Sequence, residues 1–278
     1  MSKKRTKRGV ASLLLAVAAI VYVSPLFIIL FNSFKSKVYI NLTPFQLPTG
    51  QNFVGWENYL VGINNYGFLS SVLWTLIITV GSVFAILIFC SMFAWFITRT
   101  KVWFSRVLYL LCIFSMVVPF QMVMFTLSKT ADTLKLNTPW GIIVVYLGFG
   151  AGLAVFLFSG FVKSIPLEVE EAATIDGCGP LSIFFRVVLP IMQPTYITVG
   201  ILQTMWIWND FLLPYLVLDQ KHYKTISMII QMMKGSYGRV DMGAIMACLV
   251  MAVIPMIVFY LSAQKHIIEG VAAGAVKG

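Results

Sequence analysis

Charge is scarce in this sequence: Asp, Glu, Lys and Arg make up only 11% of its 278 residues. With 59% apolar residues, the chain has too little polar surface to cover a soluble domain. Histidine is nearly missing; His222 and His266 are the only two, and no H-E-x-x-H pattern contains them. Cys90, Cys112, Cys178 and Cys248 form no C-x-x-C pair, which leaves metal and redox roles without a ligand set and favours free, inert thiols. No Gly-Lys dipeptide occurs anywhere, so the chain cannot supply the phosphate-cradling Gly-x4-Gly-Lys-Ser/Thr loop of a nucleotide motor. Acidic residues are few as well, and the net charge is +10. Five of the basic residues, Lys3, Lys4, Arg5, Lys7 and Arg8, stand just before an apolar run. That arrangement is a topology signal and an anionic-lipid contact, and it gives no footprint for nucleic acid.

Long apolar runs are what the sequence has in excess. Crossing about 30 Å of hydrocarbon takes roughly 20 apolar residues as helix. Six runs qualify, at 10–31, 71–97, 107–127, 141–162, 195–217 and 242–262. The predicted fold class is therefore an all-α membrane protein with six transmembrane helices. The first run, Val10–Phe31, is longer than a signal's apolar region of about 7–15 residues and passes into Ser24-Pro25-Leu26-Phe27 and Asn32-Ser33-Phe34 rather than into a cleavage site, so it reads as a retained span. Placing both termini inside puts twelve of the twenty Lys and Arg residues on the cytoplasmic side, among them Arg99, Lys101 and Arg106 between the second and third spans. The expected divisions are 1–70 (basic segment, first span and external loop), 71–262 (core, with a cytoplasmic insert at 164–194) and 263–278 (cytoplasmic tail). With Pro44, Pro48, Gly50, Gly55, Gly62 and Gly67, the stretch 33–70 is expected to be irregular.

The insert between the fourth and fifth spans breaks the apolar pattern. Ser164 is the expected N-cap of a short helix with Pro166 in its first turn. Glu168, Glu170 and Glu171 then lie near the positive end of the helix dipole. Gly177, Gly179 and Pro180 interrupt that helix. A second short helix follows, with Leu181, Phe184, Phe185 and Val188 at i, i+3, i+4 and i+7, and Leu189-Pro190 is expected to end it. Two destinations suit this apolar face: a groove on a partner protein, or the ends of the spans and the lipid interface.

Glu171-Ala172-Ala173, three residues, Gly177, nine residues and Val187-x-Leu189-Pro190 resemble the EAA loop of ATP-binding-cassette importer permeases, with Val187 where isoleucine is usual. Asp176, Pro194, Trp208-Asn209-Asp210-Phe211 and the tail Gly270–Gly278 extend the likeness to the carbohydrate-uptake subclass, and to the smaller permease of maltose-type and multiple-sugar systems. The resemblance implies a coupling helix seated in a cleft of an ATPase, with Glu171 meeting a basic residue there. It implies docking by Glu170, Glu171, Ala172, Ala173, Asp176, Gly177, Leu181, Phe184, Phe185, Leu189 and Pro190. The implied partners are a second homologous permease, two ATPase subunits, an extracytoplasmic solute-binding protein, a sugar and the bilayer. No cofactor is expected in this chain, ATP and Mg being bound by the ATPase subunits.

Asp210 is the lone charged residue inside a predicted span, and such residues are functional candidates. Tyr196, Gly200, Gln203 and Asp210 share a helix face, with Trp206 beside it. Gln203, Trp206 and Asp210 are candidates for the translocation pathway, and helix–helix hydrogen bonding is the competing role. Ser71, Thr75, Thr79 and Ser82 form a packing face, as do Gly148, Gly150 and Gly152, and Pro119 and Pro255 mark kinks. An ion-coupled carrier would place coupling carboxylates near the midplane and show paired repeats, for which one off-centre Asp210 is a poor match. An intramembrane enzyme has no histidine within the spans to draw on. A permease for glycerol phosphate or an osmolyte stays as the alternative to a sugar carrier.

Overall fold

A computed structural model describes residues 2–235 and 240–275, with side chains for 11–235 and 240–265. The basic cluster at 3–8, His266 and the tail Gly270–Gly278 lie outside the described side chains. Among the described residues every regular element is a helix. The chain divides into two compact units, Met1–Ser70 with Ile229–Val258, and Ser71–Met228 with Phe259–Gly278.

In the first unit, helix α1 runs from Ser2 to Asn32 and contains Pro25. Proline cannot donate to the carbonyl four residues back. Here the Ser24 hydroxyl donates to that carbonyl, Val21 O, at 2.9 Å. Residues 11–22 are exposed throughout, as a helix bathed in lipid or covered by another subunit must be. The next segment is more ordered than its Pro and Gly content suggests: α2 (Lys37–Leu42) and α3 (Glu57–Tyr66) are helical, and Gly50–Asn52 is a 3₁₀ turn. Backbone carbonyls organise it. The Asn58 amide donates to Ser33 O and Lys35 O, each at 2.8 Å. Lys35 is fully buried, with Nζ 2.7 Å from Thr43 O and 5.1 Å from the Phe31 ring centre. Gly67, at φ 68°, ends α3 in the left-handed conformation that favours glycine.

In the second unit a long helix, α4 (Phe68–Arg99), contains a π turn at Ile86–Cys90. Its polar residues Ser71, Thr75, Thr79 and Ser82 are all buried, and the Thr75 hydroxyl accepts from Ile226 N at 3.0 Å. The third predicted span is two helices, α5 (Trp103–Val117) and α6 (Phe120–Thr133), meeting at 107°. Pro119 causes the break: the residue before it, Val118, is extended at ψ 116°, and proline supplies no donor to the preceding turn. The central element is α7 (Pro139–Val162), with Ile142, Tyr146, Ala154, Val155 and Phe158 completely buried. Thr138 caps it by accepting from Gly141 N at 3.1 Å, with Pro139 in the first turn. Gly150 and Gly152 give neighbouring helices close approach, whereas Gly148 faces open space.

The remaining helices are α8 (Leu167–Ile175), α9 (Pro180–Ile191), α10 (Gln193–Asn209), α11 (Leu212–Val217), α12 (Ile226–Met232) and α13 (Met242–Ala275). The predicted fifth span, 195–217, is interrupted after Asn209, and α9 meets α10 at 79°. Pro255 lies inside the unbroken α13, so of the two proline candidates only Pro119 divides its span. By length and composition four described helices can cross a membrane, or up to six if each bent pair counts as one span.

Candidate functional site

The insert is built on two hydrogen-bonded turns. Helix α8 starts after Pro166, and Ser164 is not its cap; the Ser164 hydroxyl donates to Phe161 O at 2.7 Å. Its end is a Schellman closure. Gly177 N donates to Thr174 O and Cys178 N to Ala173 O, each at 3.0 Å, and Gly177 takes φ 83°. Gly179 and Pro180 then begin α9.

Two adjacent glutamates have opposite surroundings. Glu170, assigned to the docking face with Glu171, is buried at 7% exposure. Its Oε1 accepts from Arg99 Nε at 2.9 Å and Nη2 at 2.6 Å, and its Oε2 accepts from Trp95 Nε1 at 3.0 Å. Arg99 Nη2 also donates to Ile165 O at 2.9 Å, so one guanidinium fixes both the entry to α8 and its first turn. Glu171 is exposed, and among the described residues no side chain pairs with it. Ala172, Asp176 and Gly177 are exposed beside it, while Ala173 is buried.

The second helix also divides. Leu181 (63% exposed) and Phe185 (46%) face outward, but Phe184 and Val188 are wholly buried, with Phe184 against Trp95 at a ring separation of 5.6 Å. The expected apolar face is split along its length: Phe184 and Val188 lie on its buried edge, Leu181 and Phe185 on its open edge, and residues Phe184–Val188 wind as a π turn. Leu189-Pro190 does not end the helix, which continues to Ile191; Leu189 is half-buried and Pro190 exposed. Sequence reasoning missed Ile175, the most exposed large apolar residue of the insert at 86%. Its position four residues after Glu171 puts it on the same helix face and was a readable signal. Arg99 and Trp95 carried no such signal, being more than 70 positions away from Glu170.

A second cluster lies on α7 and α10. Asp210 lies just beyond α10, in extended backbone, and its Oδ1 accepts from Leu212 N at 3.0 Å, which starts α11. Its Oδ2 accepts from the Tyr146 hydroxyl at 2.9 Å, and the Trp206 ring meets the same tyrosine edge-to-face at 5.5 Å. Gln203 is 1% exposed; its Nε2 donates to Gly150 O at 3.2 Å, and its Oε1 has no partner among the described residues. Tyr196 bonds the Ser91 hydroxyl inside the bundle. Asp210 and Trp206 thus come together on Tyr146, whereas Gln203 and Tyr196 make separate interhelical bonds. Tyr146, the only tyrosine in 141–162, went unnoticed in the sequence. No group of three or more metal-binding side chains occurs among the described residues.

Residues 86–272 match the family described as binding-protein-dependent transport system inner membrane component. The chain is 37% identical over its whole length, and that of the relative, to the probable starch degradation products transport system permease protein AmyC of Thermoanaerobacterium thermosulfurigenes. It is 33% identical, over 95% of each chain, to the multiple sugar-binding transport system permease protein MsmG of Streptococcus mutans. It is 32% identical, over 100% of each, to the melibiose/raffinose/stachyose import permease protein MelC of Bacillus subtilis. In fold it is similar to a chain of a bacterial ABC transporter involved in import of the acidic polysaccharide alginate, with TM-score 0.78, 23% identity, and coverage of 95% of this chain and 98% of the other. With two thirds of its length matched by one family and full-length relatives above 30% identity, this multi-pass membrane chain belongs to the inner membrane components of binding-protein-dependent transport systems.

Proposed function

We propose that this chain is the permease subunit of an ATP-driven importer that carries a sugar or oligosaccharide across the cytoplasmic membrane. Each bent helix pair counts as one span, which gives six, with both termini inside and the insert on the cytoplasmic side. The carrying observation is the division between Glu170 and Glu171: one is tied to Arg99 within the chain, and its neighbour is left free on the outer face of the same turn. A helix held on one side and open on the other is suited to receive force and pass it to the bundle. Glu171, Ala172, Ile175, Asp176, Leu181 and Phe185 form the contact face for an ATPase, with Pro190 at its margin. Glu170, Ala173, Gly177, Phe184 and Leu189 set the shape of that face from within. The substrate class is supported by the relatives above, named for starch products, multiple sugars and melibiose-type oligosaccharides.

The assembly contains a second homologous permease, two ATPase subunits that bind ATP and Mg, and an extracytoplasmic solute-binding protein. A periplasmic protein bound to an alginate pentasaccharide accompanies a structurally similar transporter, which supports the last of these. This chain performs no covalent chemistry; Glu171 contributes a charge to an interface, where a partly desolvated pair matters more than an exposed one. In affinity purification of the tagged chain from membranes, Glu171→Lys is expected to lose the ATPase subunits while membrane insertion is retained. ATPase recovery equal to wild type would overturn the docking role. Binding-protein-dependent uptake of labelled oligosaccharide by the reconstituted complex tests the substrate class, and its absence with uptake of another solute would overturn it.

A further inference from the structure

A cavity of about 520 Å³ lies where the last turn of α4, the first turns of α5 and the end of α7 meet. Lys101, Arg106 and Lys163 line it, and among the described residues no carboxylate does. Arg99, the neighbouring cation, is already neutralised by Glu170, but among the described residues none of these three has an ion-pair partner. Lys163 Nζ sits 5.5 Å from the centre of the Tyr109 ring, which also lines the cavity. Three uncompensated cations in one concavity repel each other and favour an anion.

Two further features point the same way. Ser105 and Ser159 line the cavity at 3% and 1% exposure, and neither hydroxyl has a hydrogen-bond partner among the described residues. Buried hydroxyls without partners are uncommon, and two in one wall are donors waiting for an acceptor. Helix α5 also begins here with Val102 at its N-cap and no side-chain cap, so the positive end of a 15-residue helix opens beside the same three cations. Trp103, on the lining, is 77% exposed, and Phe104, packed edge-to-face against it, is 52% exposed. Exposed aromatics at a span end belong at the level of lipid headgroups.

We propose that this cavity binds the phosphate of an anionic phospholipid of the inner leaflet, with its acyl chains along Trp103 and Phe104. The proposal rests on the cytoplasmic placement of the insert given above.

The test uses the purified transporter complex in phosphatidylglycerol and phosphatidylcholine nanodiscs, released into detergent and weighed by native mass spectrometry. Phosphatidylglycerol is expected to remain bound at higher occupancy than phosphatidylcholine. The triple variant Lys101→Gln/Arg106→Gln/Lys163→Gln is expected to weaken that binding by about a hundredfold. Unchanged binding in the triple variant overturns the site. Displacement of the lipid by millimolar inorganic phosphate overturns the lipid assignment in favour of a free-anion site. Should the triple variant fail to assemble, photoactivatable phosphatidylglycerol on the wild-type complex decides: crosslinks within 101–109 support the site, and crosslinks only elsewhere overturn it. The Glu171→Lys purification reads docking independently, so failure there with lipid retention intact separates the two proposals.

Discussion

Glu170 and Asp210 are each held by an aromatic donor from another helix, Trp95 in one case and Tyr146 in the other. Their remaining partners differ. Glu170 also takes two bonds from Arg99, so its charge is matched inside the chain. Among the described residues Asp210 has only neutral donors: a phenol and the backbone N–H groups at the start of α11. A matched charge closes a site and welds the helices that carry it; here α8 is welded to the end of α4. A charge held by neutral donors leaves unmet electrostatic demand, and at Asp210 it stands beside the half-open Trp206. On the proposed reading, the first arrangement transmits force and the second borders the path of the solute.

The most damaging way to probe that contrast is to remove the cation. Arg99→Ala leaves Glu170 buried without a counter-charge, and breaking such a pair costs about 3–5 kcal/mol. The lower end applies here because the Arg99 side chain is 21% exposed. The melting temperature of the purified chain is expected to fall clearly, and uptake to fall with it as α8 loses its support. Arg99→Ala/Glu170→Ala should recover part of the stability, since no stranded charge remains. A single variant as stable as wild type would dissolve the contrast, because the pair would then hold nothing together.

A smaller effect is expected at Gly150, which tests how the face of α10 is packed. A methyl group there would stand 2.5 Å from Ile86 Cδ1 and 3.1 Å from Gln203 Oε1, both at the tips of side chains. Gly150→Ala is expected to cost about 1–2 kcal/mol by displacing them, and Gly148→Ala, with nothing within 4 Å, to cost nothing measurable by thermal unfolding. Equal effects at the two positions would mean that Gln203 is not part of a close contact.

What the sequence disclosed follows from how local each feature is. Apolar runs mark spans because hydrocarbon demands them, and Gly177 marks a turn because its left-handed backbone suits glycine. The same locality explains the failures. Pro119 breaks its helix pair and Pro255 does not interrupt α13, yet proline chemistry is identical at both, so the residue type does not tell a break from a continuous helix. The π turn at Phe184–Val188 has no residue signature, and nothing in the sequence separates Phe184, which is buried, from Phe185, which is exposed. The Arg99–Glu170 pair unites distant segments, so nothing near either residue announces it. Asp210 looked like a charge inside a helix, whereas it ends one helix and starts the next through its own side chain.

The gentlest probe is Tyr146→Phe, which removes one hydroxyl and keeps the ring that meets Trp206. Stability should fall by only about 1 kcal/mol, because Asp210 retains the backbone donors of Leu212 and Leu213. If Asp210 serves only to join helices, uptake should track that small loss and the half-saturating concentration should stay the same. If it borders the solute path, freeing Oδ2 from Tyr146 changes what the carboxylate offers a sugar hydroxyl. The half-saturating concentration should then shift by several-fold with little change in melting temperature. Asp210→Asn sharpens the result, since an amide keeps one acceptor for the start of α11 but removes the charge. A shift with both variants assigns the carboxylate to the pathway, and a shift with neither leaves it a helix joint, as Glu170 is.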